Sequence, residues 1–195
     1  MSNLSVEQFN AQINDAMRSS KSTTGYDLNT AVGKGANFEV FVAHTILEFE
    51  SFPVEFEDVT VGPWGGAGDL RCDLWLEDEA RKHVLIVQCK FRKPRSPAKE
   101  EDYASFLNAW QVHKDPEWVR TNGNEDARLR LDGFAERLAD GWTVEYRYVT
   151  TALLKKRNFA EFSAAEAVAR AEHPSISIRA HGHEELKDYF QQMLA

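Results

Sequence analysis

Cysteine is nearly absent. Cys72 and Cys89 are the only two among 195 residues, too few for a secreted disulfide scaffold, and neither belongs to a Cys-x-x-Cys pair. Each reads as a small buried hydrophobe. Long apolar runs are missing too, since no stretch approaches the roughly 18 residues of a membrane-spanning helix. Met1 to Asn10 lacks the basic-then-apolar layout of a secretory signal. A cytoplasmic protein with no membrane partner is the expectation. There is also no excess of positive charge, and the net −8 argues against a protein that coats nucleic acid by bulk electrostatics. No internal repeat and no low-complexity tract interrupts the chain.

What is present is ordinary for a globular domain: 43% hydrophobic and 28% charged residues. We read residues 1–195 as one domain, of a length that buries a sizeable core. An N-terminal helix and polar loop (1–35) lead into a motif-bearing core (36–91), and further helices and strands follow (92–195).

Phe9, Ile13 and Met17 recur every four residues and predict a helix over Leu4 to Met17. The Ser/Thr/Gly-rich stretch Ser19 to Gly35 predicts a loop, and Gly33-Lys34-Gly35 a turn, because the spacing of a phosphate-binding loop is missing. A second helix is predicted over Ala36 to Glu50, with Phe38, Phe41, Val42, Ile46 and Phe49 on its apolar side. Strands follow at Val54 to Val61, Leu70 to Leu76 and His83 to Phe91. The last contains Val84-Leu85-Ile86-Val87, a continuous apolar run that suits a central strand covered on both faces. Helices are predicted over Glu100 to Val112 and Glu125 to Leu138. The alternation of Trp142, Val144, Tyr146 and Tyr148 with polar residues predicts a half-buried strand. A helix (Phe159 to Ala171), a short strand (Ser175 to Arg179) and a closing helix (Glu184 to Leu194) complete a mixed α/β layer fold.

Two polar residues end the apolar third strand. Gln88 and Lys90 are two apart and therefore share a face, while Cys89 points into the core. A buried amide or ammonium without partners costs several kcal/mol, and at the end of a strand in an α/β sheet the usual reason is a site. Asp73 lies fifteen residues upstream, behind the glycine-rich Gly62-Pro63-Trp64-Gly65-Gly66-Ala67-Gly68-Asp69. If the second and third strands pair as a hairpin, Asp73 and Gln88 meet. An Asp carboxylate, a Gln carbonyl oxygen and a strand carbonyl make a hard-oxygen set suited to Mg²⁺ or Mn²⁺. Lys90 would orient an attacking water or balance transition-state charge. Glu39 falls inside the apolar arc of the second helix, so it either snorkels out or faces this site. From Arg81 to Lys99 there are seven basic residues and no acid. Of these, Lys90, Arg92, Lys93, Arg95 and Lys99 are the candidate phosphate contacts.

Other signals are weaker. His181-Gly182-His183-Glu184 lacks the further ligands of a zinc site and reads as the start of the last helix. Trp110, Trp118 and Trp142 read as core, and no Gly-x-Ser-x-Gly elbow exists.

Gly65-Gly66-Ala67-Gly68-Asp69-Leu70-Arg71-Cys72-Asp73 and Val87-Gln88-Cys89-Lys90-Phe91 resemble the PD-(D/E)XK nuclease superfamily, in particular Mrr-like restriction endonucleases and related prokaryotic defence nucleases. The helix beginning Asn37-Phe38-Glu39 is similar to their acid-bearing opening helix. The resemblance covers Ala36 to Phe91. It implies a restriction-endonuclease-like α/β fold, with a four-stranded mixed sheet flanked by helices. It also implies Mg²⁺-dependent endonucleolytic hydrolysis of DNA, with Asp73, Gln88 and Lys90 catalytic and Glu39 supporting the metal. Antiphage defence follows by analogy alone.

The chain departs from that pattern in three ways. Leu70-Arg71-Cys72 stands where such families often have glycines, so the turn must be made without them, and Asp69 competes with Asp73 for the metal. Gln88 replaces an acid, which lowers the negative charge available to a cation. There is no room for an accessory recognition domain, so targeting would come from a partner protein or from a homodimer. Two rival readings stay open. One is an inactive superfamily member that binds nucleic acid or a protein, and the other is an unrelated metal- or nucleotide-dependent enzyme in which Asp73 merely caps a strand.

Overall fold

In the computed structural model, which describes residues 4–50, 52–54 and 70–193, the run Val84 to Val87 lies in a four-stranded sheet. All four side chains are fully buried, as a strand with neighbours on both edges and helices on both faces requires. The strands are β1 (Leu74–Asp78), β2 (His83–Lys90), β3 (Thr143–Thr150) and β4 (Ile176–His181), side by side in chain order. β1 is antiparallel to β2, and β2, β3 and β4 are mutually parallel. The sheet is therefore mixed and flanked by helices, as the sequence predicts.

Parallel neighbours need crossovers. The first is made by α3 (Ala109–His113), α4 (Pro116–Asn122), α5 (Glu125–Leu131) and α6 (Phe134–Ala139), and the second by α7 (Lys156–Glu172). α1 (Val6–Thr24), α2 (Ala31–Glu50) and α8 (His183–Met193) cover the other face. Strand alternation divides the core accordingly. Val84 and Ile86 pack with Trp75, Phe106, Trp110 and Phe134, whereas Leu85, Val87 and Cys89 pack with Phe9, Phe38, Phe41 and Leu186. No helix of the described residues is long and apolar enough to cross a membrane.

Several elements differ from expectation. The predicted loop from Ser19 to Gly35 is mostly helical, because α1 runs to Thr24 and α2 starts at Ala31. Ser19 and Ser20 are tolerated by donating their hydroxyls to the carbonyls of Asp15 and Ala16, and Gly25 at φ 70° ends α1. Gly33 is not a turn residue but sits in the first turn of α2, where a Cβ would lie 1.8 Å from the Asp27 carbonyl oxygen. Buried Asn37 then ties α2 to Thr24.

The helix predicted over Glu100 to Val112 is two 3-10 turns (Glu100–Asp102 and Phe106–Asn108) followed by α3. The one over Glu125 to Leu138 breaks at left-handed Gly133. α4 was not predicted at all, although Asp115-Pro116 is an N-cap followed by an N1 proline. β3 is central rather than half-buried, since its polar residues Glu145 and Arg147 pair inside the protein. The strand predicted over Leu70 to Leu76 begins only at Leu74. The strand at Val54 to Val61, apart from Val54, lies outside the described residues, as do the glycine loop and Asp69.

Candidate active site

β2 changes character at its carboxyl end. After four fully buried apolar residues come Gln88 and Lys90, both half-buried, with Cys89 buried between them. Burial of each apolar side chain contributes roughly 1.5–3 kcal/mol, enough to fix the strand and hold its polar end in register. The neighbouring strand secures that end. Thr150 Oγ1 donates to the Lys90 carbonyl at 2.8 Å, and Thr151 Oγ1 accepts from Arg92 N at 2.7 Å while donating to the Arg92 carbonyl at 2.6 Å. Both threonines are fully buried.

Asp73 reaches this point from the other side of the hairpin. Leu74 pairs with Val87, which sets Asp73 opposite Gln88. Its backbone N–H donates to the Val87 carbonyl at 2.9 Å. Its Oδ2 accepts from the Cys89 N–H at 2.6 Å and from Gln88 Nε2. Asp73 is only 3% exposed, and solvent reaches the cluster through the half-buried Gln88 and Lys90.

The turn that delivers Asp73 is made without glycine. Leu70 (φ 55°) and Arg71 (φ 66°) both lie in the left-handed region, a conformation costing on the order of 1–3 kcal/mol per non-glycine residue. His113 holds it. The ring is fully buried, with Nε2 2.7 Å from the Leu70 carbonyl and Nδ1 2.9 Å from the Tyr146 hydroxyl. A carbonyl can only accept, so Nε2 carries the proton and Nδ1 accepts from Tyr146. Burial lowers the His113 pKa to about 4, which keeps the ring neutral. Sequence reading missed His113, because a lone histidine in an apolar segment gives no signal of its partner 43 residues away.

Glu39 is half-buried on α2, in the layer that Cys89 faces. Burial first, then the charges of Asp73 and Glu39, push the Cys89 thiol well above its usual range. Both carboxylates therefore act on the same end of β2. The thiol is held in its unreactive form, as strand alternation implies. The structure thus brings Asp73 and Gln88 into direct contact and sets Lys90 on the same face, whereas Glu39 lies on α2, in the layer against the other face of β2.

The basic segment is less bare than its sequence. Arg92 makes a two-pronged pair with Asp102, through Nε to Oδ2 at 2.9 Å and Nη2 to Oδ1. Arg95 lies 3.2 Å from Glu184, and Lys99 lies 3.2 Å from Glu101. Lys93 is exposed. Burial alone would raise the Asp102 carboxyl, but hydrogen bonds and charge from Arg92, with the charge of Lys90, hold it below the usual carboxylate range. Asp102 is a second residue that the sequence did not single out.

As donors, Asp73, Glu39 and the Gln88 amide are hard oxygen ligands, a chemistry that fits Mg²⁺ or Mn²⁺. The Gln88 amide presents its N–H to Asp73 in this structure and would offer its oxygen after a half-turn of the amide. Among the described residues no three His, Cys, Asp or Glu side chains cluster as a metal site, so within them the amide would have to complete the donor set. The cavity of about 320 Å³ lined by Ala16, Phe41, His44 and Phe190 lies between α1, α2 and α8, away from this cluster. Comparison with family models, curated proteins and solved structures finds no match.

Proposed function

We propose that this chain is a metal-dependent phosphodiesterase acting on DNA, with a restriction-endonuclease-like core. The observation that carries the reading is the meeting of Asp73 with Gln88 and Cys89 at the carboxyl end of a buried strand, with Lys90 on the same face. Asp73, with the Gln88 oxygen, would hold Mg²⁺ or Mn²⁺, which supplies a polarised water and neutralises phosphate charge, while Glu39, in the layer on the other face of β2, would add to the negative field rather than ligate. Lys90 places an ammonium beside the scissile phosphate, where negative charge grows during in-line attack. The anchoring of β2 by Thr150 and Thr151 limits drift of that ammonium, and small misplacements in such sites are costly. Lys93 and the neighbouring cations face the strand backbone, and a double-strand cut requires two copies of the site.

Mn²⁺ titration followed by paramagnetic resonance tests the metal half of this reading. Wild type binds one ion, and Asp73→Ala weakens binding by about tenfold or more. No Mn²⁺ binding by wild type would remove the hydrolytic proposal. It would favour a second reading, a non-cutting member of the same fold that holds nucleic acid or a protein. The observation favouring that alternative is the Gln88 amide, which satisfies Asp73 directly where an acid would demand a cation.

A further inference from the structure

We propose that the acidic turn Glu100–Asp102 is a built-in stand-in for DNA phosphate, seated on the basic end of β2 and displaced when substrate binds. The inference rests on the nuclease reading above. Three of the five candidate phosphate contacts are already engaged by carboxylates: Arg92 by Asp102, Lys99 by Glu101 and Arg95 by Glu184. The two-pronged grip of Arg92 on Asp102 is the geometry by which a guanidinium holds a phosphate. The Asp102 side chain is 6% exposed while Arg92 keeps 40%, so the cation stays reachable by a second anion. The carboxylate also lies within the field of Lys90, so its charge acts on both Arg92 and the ammonium at the strand end.

The two partners are anchored unequally. Arg92 is fixed at its backbone by both hydrogen bonds to Thr151. Its backbone therefore stays at the strand end, from which the guanidinium can reach either anion. The turn bearing Asp102 is three residues long, is closed only by its own backbone bonds (Asp102 N–H to the Lys99 carbonyl at 3.1 Å), has no side-chain cap at Lys99 and contains no fully buried residue. Its stop is the next residue, Tyr103, which is fully buried and bonded to Glu161 and Asn158. Release is thus a local swing of Asp102 ahead of a fixed tyrosine. It leaves the core intact.

Fluorescence anisotropy of a labelled duplex, in metal-free buffer over a range of salt, tests this on the full chain. Asp102→Asn keeps the shape and removes the charge. It is expected to bind several-fold tighter at low salt, with a log–log salt slope steeper by about 0.9, the signature of one more phosphate contact. Glu101→Gln, at an exposed position, should change affinity in the same direction by less, and adding Arg92→Ala to Asp102→Asn should abolish the gain. Unchanged or weaker binding by both single variants overturns the proposal, as does a gain that survives Arg92→Ala. Wild type that binds no duplex overturns the nuclease reading itself. Wild type that binds with both variants unchanged overturns only the stand-in.

Discussion

His113 braces the Leu70-Arg71 turn that delivers Asp73, and it makes a pH prediction. In the unfolded chain its ring gains a proton near pH 6.5, whereas in the folded protein burial lowers that point to about 4. Between these values the unfolded state binds more protons, so stability falls as pH falls through the window and is fully retained above it. The slope is on the order of 1 kcal/mol per pH unit. Urea unfolding at pH 7 and pH 5 should show this loss in wild type and a flatter response in His113→Gln. Equal slopes in the two proteins would contradict the assignment. Gln88 and Lys90 could be read from sequence because they break an apolar pattern with a period of two. His113 and Asp102 break no pattern, and their meaning comes only from partners that folding brings to them.

Among the elements, β3 shows why a correct strand can carry a wrong environment. Its alternating polar residues suggest a solvent-facing side, yet Arg147 is buried and held by Glu50 of α2 and by Glu145, with the Tyr189 hydroxyl donating to Glu50 at 2.5 Å. One buried guanidinium thus pins α2 and α8 to the sheet. Arg147→Met strands two carboxylates in a low-dielectric layer and is expected to cost about 3–5 kcal/mol, read from the urea midpoint. Arg147→Met with Glu50→Met should recover part of that loss, because the orphaned charge is the main penalty. A double variant less stable than the single would show that α2 is held by other contacts.

The break at Gly133 and the start of the unpredicted α4 at Asp115-Pro116 both carry legible signals. The extension of α1 through Ser19 and Ser20 was not legible, because serine is a poor helix former that tertiary packing overrides. The Leu70-Arg71 turn goes further, adopting left-handed geometry with residues that disfavour it.

For the molecule as a whole, the mixed sheet with helices on both faces was legible, because an apolar run of four residues can only be satisfied in the centre of a layered fold. The convergence of Asp73 with Gln88 followed from hairpin register, and the structure bears that contact out. The electrostatics of the surface were less visible. A net −8 protein with an acid-free basic segment looks from sequence like a ready phosphate contact, but acids from Glu101, Asp102 and Glu184 return to cover it. The Glu184 contact joins distant parts of the chain, whereas Glu101 and Asp102 follow Lys99 directly in the sequence and only their folding back over Arg92 and Lys99 was hidden.

The measurement closest to the central claim is conversion of supercoiled plasmid to nicked or linear form in Mg²⁺, wild type against Lys90→Ala. Wild type is expected to cut and Lys90→Ala to lose at least about a hundredfold in rate, with both proteins equally folded by circular dichroism. Equal cutting by the two proteins, or no cutting by either, would contradict a hydrolytic site built on Asp73, Gln88 and Lys90.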